Sequence, residues 1–332
     1  MRAIIPVAGF GSRMRPHTYT VPKVLMNVAG KPMLDHIIDS LVEAGITGVT
    51  LIVGYLGDVI EEHARKKYSN IEINCVPQPQ MLGLGHAISL GKSIHKDDDD
   101  LLIILGDTIL QADFKALFST PDTAIGVKAV EDPRRFGVVE TDKSGRIVAM
   151  HEKLENPPSN EAIVGVYKIN DPALLFSELD SLMESGKRTK GEFQLTDALA
   201  GMLERGHVMK PFQIDGWLDC GKPETLFETN RTLLDLSPAE QQKSYQAKYP
   251  DSVIVPPVFI AKGCAIKDSV VGPYAVLGEN TSVKGSILRD TIVGAEAQLK
   301  NVFLDNSLIG DKAQVEGHPQ SINIGDSSAV SI

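Results

Sequence analysis

The chain has 332 residues, of which 42% are hydrophobic and 23% are charged, a composition typical of a folded globular protein rather than a disordered one. Its net charge of −10 excludes a broad nucleic-acid-binding surface, although cations grouped locally can still bind nucleotides. We expect no signal peptide, because the first apolar run is short, and no membrane span, because no apolar run approaches roughly 18 residues.

The first predicted element is a short buried strand, because residues 3–7 form an apolar run. It leads into a turn with Gly9 and Gly11, and the flexible backbone of glycine lets N–H groups approach a bulky anion. Arg13 and Lys23 add a forked cation and a mobile point charge. Together these groups predict a polyphosphate site.

Two common phosphate-binding motifs do not fit this chain. A dinucleotide-binding turn needs a third glycine where this sequence has Met14. A Walker loop ending at Gly91, Lys92 and Ser93 would need a glycine in place of His86, so we interpret that triplet as a decoy.

A third pattern, G-x-G-[ST]-R-x(2)-P-x-T-x(3)-P-K-x-L followed by G-K-P-M, fits throughout. It is satisfied by Gly9, Gly11, Ser12, Arg13, Pro16, Thr18, Pro22, Lys23, Leu25, Gly30, Lys31, Pro32 and Met33. This pattern resembles the signature of the sugar-1-phosphate nucleotidylyltransferases. The resemblance implies that Ala8, Gly9, Gly11 and Ser12 bind a nucleotide and that Arg13 and Lys23 act in catalysis.

The next elements alternate between helix and strand. Pro32 suits the start of a helix that Gly45 ends, and an apolar strand follows at 49–53. A helix at about 58–68 and a strand at about 71–76 continue the alternation. This order predicts an α/β fold with a Rossmann-like, mixed, mostly parallel sheet and helices on both faces. Ligands of such sheets lie at the carboxyl ends of the strands, where the glycine turn falls.

The segment 78–87 indicates a site for a base. The amide of Gln78 both donates and accepts, so it can pair with a pyrimidine edge that carries a C=O and an N–H. Gly83 allows the backbone to approach the base closely. The segment resembles the base-recognition loop of uridylyl- and thymidylyltransferases, which implies that Gln78 and Gly83 bind the nucleotide. We expect His86 to pack on this loop from the start of a helix.

Two aspartates predict a magnesium site. Residues 101–105 form the most apolar predicted strand, and Asp107 follows its carboxyl end as a hard oxygen ligand suited to Mg²⁺. Residues 217–224 resemble the family's W-x-D-x-G-[TK]-P-E motif, which implies that Asp219 is the second ligand. We therefore expect Mg²⁺ as the cofactor. The acidic run at 97–100 is interpreted as a solvated turn.

Short strands and a hairpin are predicted between residues 124 and 150. Resemblance to the family's sugar-binding segments implies that the sugar phosphate is bound by Gly137, Glu152, Lys153, Gly165 and Lys190, and that Lys153 also acts in catalysis. Leu154 stands where the family usually has proline, so the local turn departs from the family pattern. In the helix predicted from 191 onward, Thr196 is the expected N-cap.

The periodicity changes near the end of the chain. Leu277, Val293 and Ile309 recur every sixteen residues, which resembles a left-handed hexapeptide β-helix whose coils bury each other's faces. We therefore predict a nucleotidyltransferase catalytic domain at 1–236, a linker at 237–251 and the β-helix at 252–332. The ending at 324–328 resembles that of long-form glucose-1-phosphate thymidylyltransferases.

These features predict an enzyme that joins a nucleoside triphosphate, UTP or dTTP, to a sugar 1-phosphate, glucose 1-phosphate by resemblance, and releases pyrophosphate. The attacking phosphate is already an anion, so no general base is needed. A mannose-1-phosphate guanylyltransferase is an alternative, disfavoured because the guanine edge orders its donors and acceptors differently. A non-catalytic sugar-nucleotide-binding regulatory subunit is another, disfavoured by the intact cations and aspartates.

The remaining expectations concern partners and location. Neither nucleic acid nor membrane is an expected partner, whereas copies of the chain are expected to form a homo-oligomer. His318 is the only histidine after His207, which disfavours a second, acyltransferase centre in the β-helix and favours a scaffold for oligomerisation or allosteric contact. The cysteines, Cys75, Cys220 and Cys264, form neither a disulfide framework nor a zinc pattern, and they suit the reducing cytoplasm.

Overall fold

A computed structural model of the chain describes residues 1–318 together with Ile324 and Ser327. These residues form two compact units. The first unit contains Met1–Met26 and Lys31–Leu226, and the second contains Asn27–Gly30 and the chain from Phe227 onward. Most of the predicted ending at 324–328 lies outside the described residues.

The first unit alternates strands and helices. Its strands are β1 (Arg2–Pro6), β3 (Lys31–Pro32), β4 (Gly48–Val53), β5 (Glu72–Pro77), β6 (Leu101–Ile104), β7 (Thr108–Gln111), β8 (Thr123–Ala129), β9 (Gly137–Thr141), β10 (Ile147–Glu152), β11 (Glu161–Ile169), β12 (Met209–Gln213) and β13 (Gly216–Asp219), while β2 (Asn27–Val28) belongs to the second unit. Its helices are α1 (Met33–Glu43), α2 (Gly57–Lys67), α3 (Leu84–Ser89), α4 (Lys92–His95), α5 (Phe114–Phe118), α6 (Pro172–Ser185) and α7 (Leu195–Glu204). The division between the units falls inside α8 (Pro223–Asp235), after Leu226.

The main sheet of the first unit is mixed, with a parallel centre. Its strands lie in the order β10-β9-β11-β6-β1-β4-β5, and β8 joins β11 to β12. β1 runs parallel to β4 and β6, whereas β11 runs antiparallel to β6, β8 and β9. The predicted α/β fold is therefore confirmed.

Two hydrophobic clusters cover opposite faces of this sheet. Ile5 packs in one cluster with Leu34 and Leu41 of α1, and its neighbour Ile4 packs in the other with Phe176 of α6. Successive side chains of a strand point to opposite faces, so both neighbours can be fully buried. Burying such a side chain contributes about 1.5–3 kcal/mol, and this explains the continuous apolar runs of the central strands.

A buried polar network in the first unit connects the end of α4 to β1 and β4. His95 has no exposed surface and places its Nδ1 2.8 Å from Asp98 Oδ2 and its Nε2 2.8 Å from Thr50 Oγ1. Asp98 also accepts a hydrogen bond from Arg2 Nε at 3.1 Å. Burial lowers the pKa of His95 despite the neighbouring carboxylate, so the ring is neutral and Thr50 donates its hydroxyl proton to Nε2.

The acidic run at 97–100 is not simply a solvated turn. Asp98 belongs to the His95 network, and Asp100 Oδ1 lies 2.7 Å from the ammonium of Lys168, a side chain that is only 2% exposed. The prediction of a solvated turn is therefore wrong for these two carboxylates, because Asp98 pairs with Arg2 and accepts from the buried ring of His95, and Asp100 pairs with the buried ammonium of Lys168.

The second unit is built of short parallel strands preceded by α9 (Ala239–Lys248). The strands are β14 (Val253–Ile254), β15 (Phe259–Ile260), β16 (Ala265–Lys267), β17 (Val270–Val271), β18 (Val276–Leu277), β19 (Ser282–Lys284), β20 (Ile287–Val293), β21 (Gln298–Lys300), β22 (Phe303–Ile309) and β23 (Gln314–Glu316). Each strand pairs in parallel with the one a coil later, as in the predicted β-helix.

Aliphatic side chains stack in columns inside the β-helix. One column places Ile266 beside Val283, Val283 beside Leu299 and Leu299 beside Val315. In this column the first step spans seventeen residues and the later two span sixteen. The other two columns begin at Ile254 and Ile260, and the Ile254 column steps seventeen residues twice, from Ile254 to Val271 and from Val271 to Leu288.

The segment predicted as a linker, 237–251, contains α9, which covers the open edge of the first coil. Gln242 donates a hydrogen bond to the Val258 carbonyl and accepts one from the Val258 N–H, both at 2.9 Å. One turn later, Gln246 accepts from the Ile254 N–H at 2.8 Å and donates to the Ser252 carbonyl at 3.0 Å. The two glutamine amides thus replace the hydrogen bonds of a preceding coil.

The described part of the chain contains no helix that is both long and apolar enough to span a membrane. None of the three cysteines, which all lie in the described part of the chain, forms a disulfide.

Candidate active site

The glycine turn after β1 is held by contacts within the first unit. Val7, at its start, donates its N–H to the Ile52 carbonyl at 2.8 Å. Gly11 has a φ of +61°, and a Cβ there would come within 2.9 Å of the Lys23 side chain. Thr18 donates its hydroxyl to the Gly11 carbonyl at 2.9 Å. Glycine is therefore needed at position 11, because any side chain would separate the turn from Lys23.

Lys23 joins this turn to the end of β6. Its Nζ lies 2.8 Å from Oδ2 of Asp107. The Lys23 side chain is 11% exposed, whereas that of Asp107 is 40% exposed. The ammonium is thus largely covered, while part of the Asp107 carboxylate faces open space.

The short ladder between β7 and β13 brings the second aspartate next to the first. Asp219 lies opposite Thr108, and Cys220 donates its N–H to the Asp107 carbonyl at 3.1 Å. A Cβ on Gly221 would lie 2.8 Å from Asp219 Oδ1 and 3.2 Å from Arg13 Nη2. A cation of the glycine turn and the carboxylate of Asp219 therefore converge at Gly221.

The donor set of this corner suits Mg²⁺. Asp219 lies opposite Thr108, and Asp107 directly precedes Thr108, so both offer hard carboxylate oxygens at the same end of the ladder. Among the described residues, no three His, Cys, Asp or Glu side chains are grouped so that they could hold a metal ion. Magnesium fits such a site because it is usually held by one or two carboxylates, with water and substrate phosphates completing its shell.

The segment 78–87 follows β5 and is anchored from both sides. Gln78 donates its backbone N–H to the Val53 carbonyl at 2.7 Å, and its side-chain Nε2 lies 3.1 Å from Nδ1 of His86. Gly83 has a φ of +116°, and a Cβ there would lie 2.6 Å from the Phe193 carbonyl. Phe193 donates its own N–H to the Leu82 carbonyl at 2.8 Å. Only glycine lets the loop approach the 192–193 segment this closely.

Glu152 is the last residue of β10, and Lys153 follows it directly. Glu152 Oε2 accepts a hydrogen bond from the Thr196 hydroxyl at 2.7 Å, and Glu152 Oε1 lies 3.2 Å from Lys153 Nζ. Gly137 lies against the same carboxylate, since a Cβ on Gly137 would lie 3.1 Å from Oε2. The prediction of Thr196 as N-cap is wrong, because α7 begins at Leu195 with Gln194 as its N-cap and the Thr196 hydroxyl is engaged by Glu152.

Most of the predicted site residues line one cleft of about 630 Å³. They are Ala8, Gly9, Gly11, Ser12, Arg13, Lys23, Gln78, Gly83, Asp107, Gly137, Glu152, Lys153 and Gly165. Asp219 and Lys190 are not among the lining residues. Asp219 contacts the lining residue Gly221, and Lys190 lies two positions before the lining residue Glu192.

Several lining residues were not predicted from the sequence. Arg135, Phe136, Tyr167 and Glu192 also face the cleft. Tyr167 follows Gly165 by two positions on β11, so the alternation of a strand could have identified it. Burial raises the pKa of Tyr167, which keeps its hydroxyl protonated. The other three lie beside predicted residues or segments: Arg135 and Phe136 directly precede Gly137, and Glu192 lies in the helix predicted from 191 onward.

The rejected Walker triplet lies elsewhere. Gly91 separates α3 from α4, and Lys92 forms an ion pair with Asp180 of α6. Neither Lys92 nor Ser93 is among the residues that line the cleft. The interpretation of this triplet as a decoy agrees with its position.

Comparisons with known proteins agree with this geometry. Residues 2–235 match the Nucleotidyl transferase family. The chain is 33% identical to a glucose-1-phosphate thymidylyltransferase of Streptomyces antibioticus, covering 100% of this chain and 99% of that protein. It is also 33% identical to a UTP–glucose-1-phosphate uridylyltransferase of Haloferax volcanii, over 70% of this chain and 96% of the relative.

A solved structure shares the fold. UDP-glucose pyrophosphorylase complexed with UDP-glucose superposes with a TM-score of 0.61 at 25% identity, over 71% of this chain and 99% of that one. With the signature turn, the two neighbouring aspartates and a match that covers most of the chain, the protein belongs to the Nucleotidyl transferase family and is a sugar-1-phosphate nucleotidylyltransferase.

Proposed function

We propose that this enzyme joins glucose 1-phosphate to UTP or dTTP and releases pyrophosphate. The observation that carries the proposal is that the glycine turn, Gln78 and the Glu152–Lys153 pair all line one cleft. A cleft of about 630 Å³ has the size of a small-molecule site. The named activities of the Streptomyces and Haloferax relatives support the choice of sugar and nucleotides.

The reaction is an in-line displacement at the α-phosphorus of the nucleotide. A phosphate oxygen of the sugar phosphate forms the new P–O bond while the bond to the leaving pyrophosphate breaks. Arg13 and Lys23 neutralise the triphosphate, with Lys23 following the pyrophosphate, and Lys153 neutralises the sugar phosphate. Alignment of the two reactants can supply about 7–11 kcal/mol of the barrier.

Asp107 and Asp219 are the residues that would hold Mg²⁺. When bound, the ion supplies positive charge that offsets the repulsion between the two phosphates. Lys23 Nζ lies 2.8 Å from Asp107 Oδ2 and neutralises this carboxylate at the edge of the cleft. Glu152, oriented by the Thr196 hydroxyl, accepts hydrogen bonds from sugar hydroxyls, while Gly137, Gly165 and Lys190 complete the proposed sugar-phosphate site.

The test is pyrophosphate release measured with and without Mg²⁺. UTP, dTTP, GTP, CTP and ATP are each paired with glucose 1-phosphate, and then with mannose and N-acetylglucosamine 1-phosphates. We expect Mg²⁺-dependent release with UTP or dTTP and glucose 1-phosphate. Preference for GTP with mannose 1-phosphate would replace the proposal with a guanylyltransferase, and binding without release from any pair would indicate a regulatory subunit.

Three further expectations stay predictions. They are the association of copies of the chain into a homo-oligomer, the cytoplasmic location and the regulatory or structural role of the β-helix. None of them is needed for the proposed reaction, because the residues assigned to it belong to the first unit.

A further inference from the structure

The side-chain amide of Gln78 is held in place by a histidine behind it. Gln78 is only 6% exposed, and its Nε2 lies 3.1 Å from Nδ1 of His86 on α3. Gln78 lines the cleft, whereas His86 is not among the lining residues. His86 therefore acts on a ligand through Gln78 rather than by direct contact.

The second hydrogen bond of His86 determines which end of the amide it binds. The backbone of Gln80 acts on the imidazole as a hydrogen-bond partner that raises the pKa of His86, which identifies the partner as the Gln80 carbonyl. A backbone carbonyl can only accept, so this bond takes the single N–H of a neutral imidazole and leaves Nδ1 as an acceptor. The group of Gln78 that faces Nδ1 must then be the NH₂. Burial lowers the pKa of His86, which favours this neutral ring.

We propose that His86 is a positioning residue that fixes the Gln78 amide so that its Oε1 faces the ring N–H of uracil or thymine, and that this orientation rejects cytosine. The inference rests on the uridine or thymidine nucleotide of the proposed function. It concerns the orientation of Gln78, which neither the signature motif nor the family resemblance specifies.

The discrimination follows from the edges of the bases. Uracil and thymine carry an N–H at ring position 3 beside a C=O at position 4, and cytosine carries a bare nitrogen beside an amino group. The fixed amide accepts from the N–H through Oε1 and donates its second N–H to the C=O. Cytosine would require the reversed amide, whose Oε1 would face the lone pair of His86 Nδ1, so two acceptors would be opposed.

The experiment measures the dissociation constants of UTP and CTP by calorimetry for the wild-type chain and three variants. His86→Leu removes the acceptor, so we expect the preference for UTP over CTP to fall about tenfold, the worth of one hydrogen bond. His86→Asn places an amide oxygen where Nδ1 stood, so we expect it to restore most of the preference. Ser89→Ala is the matched control, because the Ser89 hydroxyl donates at 2.8 Å only to the His86 backbone carbonyl on the same helix, and the preference should not change.

Three outcomes would overturn the inference. They are a His86→Leu variant that weakens UTP and CTP binding by the same factor, a His86→Asn variant that loses the preference as fully as His86→Leu, and a wild-type chain with no preference. Failure of the proposed reaction is distinguishable from all three, because it appears as absent pyrophosphate release while nucleotide binding still changes as expected. In that case the orienting role of His86 is supported and only the reaction is wrong.

Discussion

The cleft of the first unit and the β-helix of the second are specified by their sequences in opposite ways. In the cleft, Lys23 and Asp107 come from distant parts of the chain, and these two different side chains pair with each other. In the β-helix, Ile266, Val283 and Leu299 are similar side chains in the same position of successive coils. A chemical site therefore depends on individual residues, whereas a solenoid depends on the period that repeats them.

This difference predicts that changes in the two regions separate activity from stability. Charged residues of the cleft should affect turnover strongly and unfolding weakly. Buried residues of the β-helix and its covering helix should do the reverse, because the stability of a solenoid is approximately a sum of contributions from each coil and its neighbours.

The largest effect is expected for Lys23→Ala. The change removes an ammonium proposed to stabilise charge in the transition state, and it leaves Asp107 without its 2.8 Å partner. We expect kcat for pyrophosphate release to fall about 10²–10³-fold, equivalent to about 2.7–4 kcal/mol, as when one preorganised donor is removed. The thermal unfolding midpoint, measured on the same sample, should change little.

Lys92→Ala is the matched control for this prediction. Lys92 belongs to the rejected Walker triplet and forms an ion pair with Asp180 near the surface. Such pairs contribute about 0–1 kcal/mol to stability, and Lys92 is not among the cleft-lining residues. If Lys92→Ala lowered kcat as much as Lys23→Ala, the assignment of the phosphate site would be wrong.

A smaller effect, on stability instead of turnover, is expected for Gln242→Leu. Gln242 is buried and binds both backbone groups of Val258, which has no exposed surface. Leaving these buried groups unpaired should lower the free energy of unfolding by about 1–3 kcal/mol. Urea unfolding followed by circular dichroism measures this loss, and pyrophosphate release should keep its wild-type rate below the transition.

Gln241→Leu is the same substitution one position earlier on α9. Gln241 donates a hydrogen bond at 2.9 Å to the Tyr245 hydroxyl and holds no backbone group of the first coil. It should therefore cost less than Gln242→Leu. Equal losses in the two variants would show that both changes destabilise α9 itself. The loss in Gln242→Leu would then not be evidence that Gln242 covers the coil edge.

The elements of the fold could be predicted from sequence because their signals are local and repetitive. Buried strands appear as apolar runs and the coils as a recurring aliphatic residue, so the bounds of β4 and the columns of the β-helix were nearly correct. The glycine turn was also recognisable, because its residue types are contiguous in the chain. The seventeen-residue steps of the early coils were missed because the sixteen-residue repeat begins only at Leu277.

Contacts between distant residues gave no such signal. His95 meets Thr50, which is 45 positions away, and no spacing rule joins a helix-end histidine to a threonine in an earlier strand. The contact between His86 and Gln78 has a shorter span of eight positions, but the loop between them follows no regular period. Thr196 looked like a helix cap because the partner it binds, Glu152, lies 44 positions away.

The smallest predicted effect is on the pH dependence of stability, and it arises in the first unit outside the cleft. His95 lies in the first unit but not in the cleft. Burial holds the pKa of His95 below its ordinary value, and the charge of Arg2 lowers it further. Asp98 and Glu72 act in the opposite direction but do not outweigh burial. A histidine whose folded pKa is depressed is stabilising while it is neutral. Its contribution is therefore fully present above the unfolded pKa of about 6.5 and is lost as the pH falls below that value.

We therefore expect the free energy of unfolding to decrease between about pH 6.5 and 5.5, by no more than about 1.4 kcal/mol for this one proton. Urea unfolding at a series of pH values measures the slope, and the same series on His95→Gln should show a shallower one. Asp98 does not interfere, because its depressed pKa makes its own contribution fall only below about pH 4. An unchanged slope in the variant would assign the pH dependence to other histidines. The buried network would then contribute to stability without titrating, as the aliphatic columns of the β-helix do.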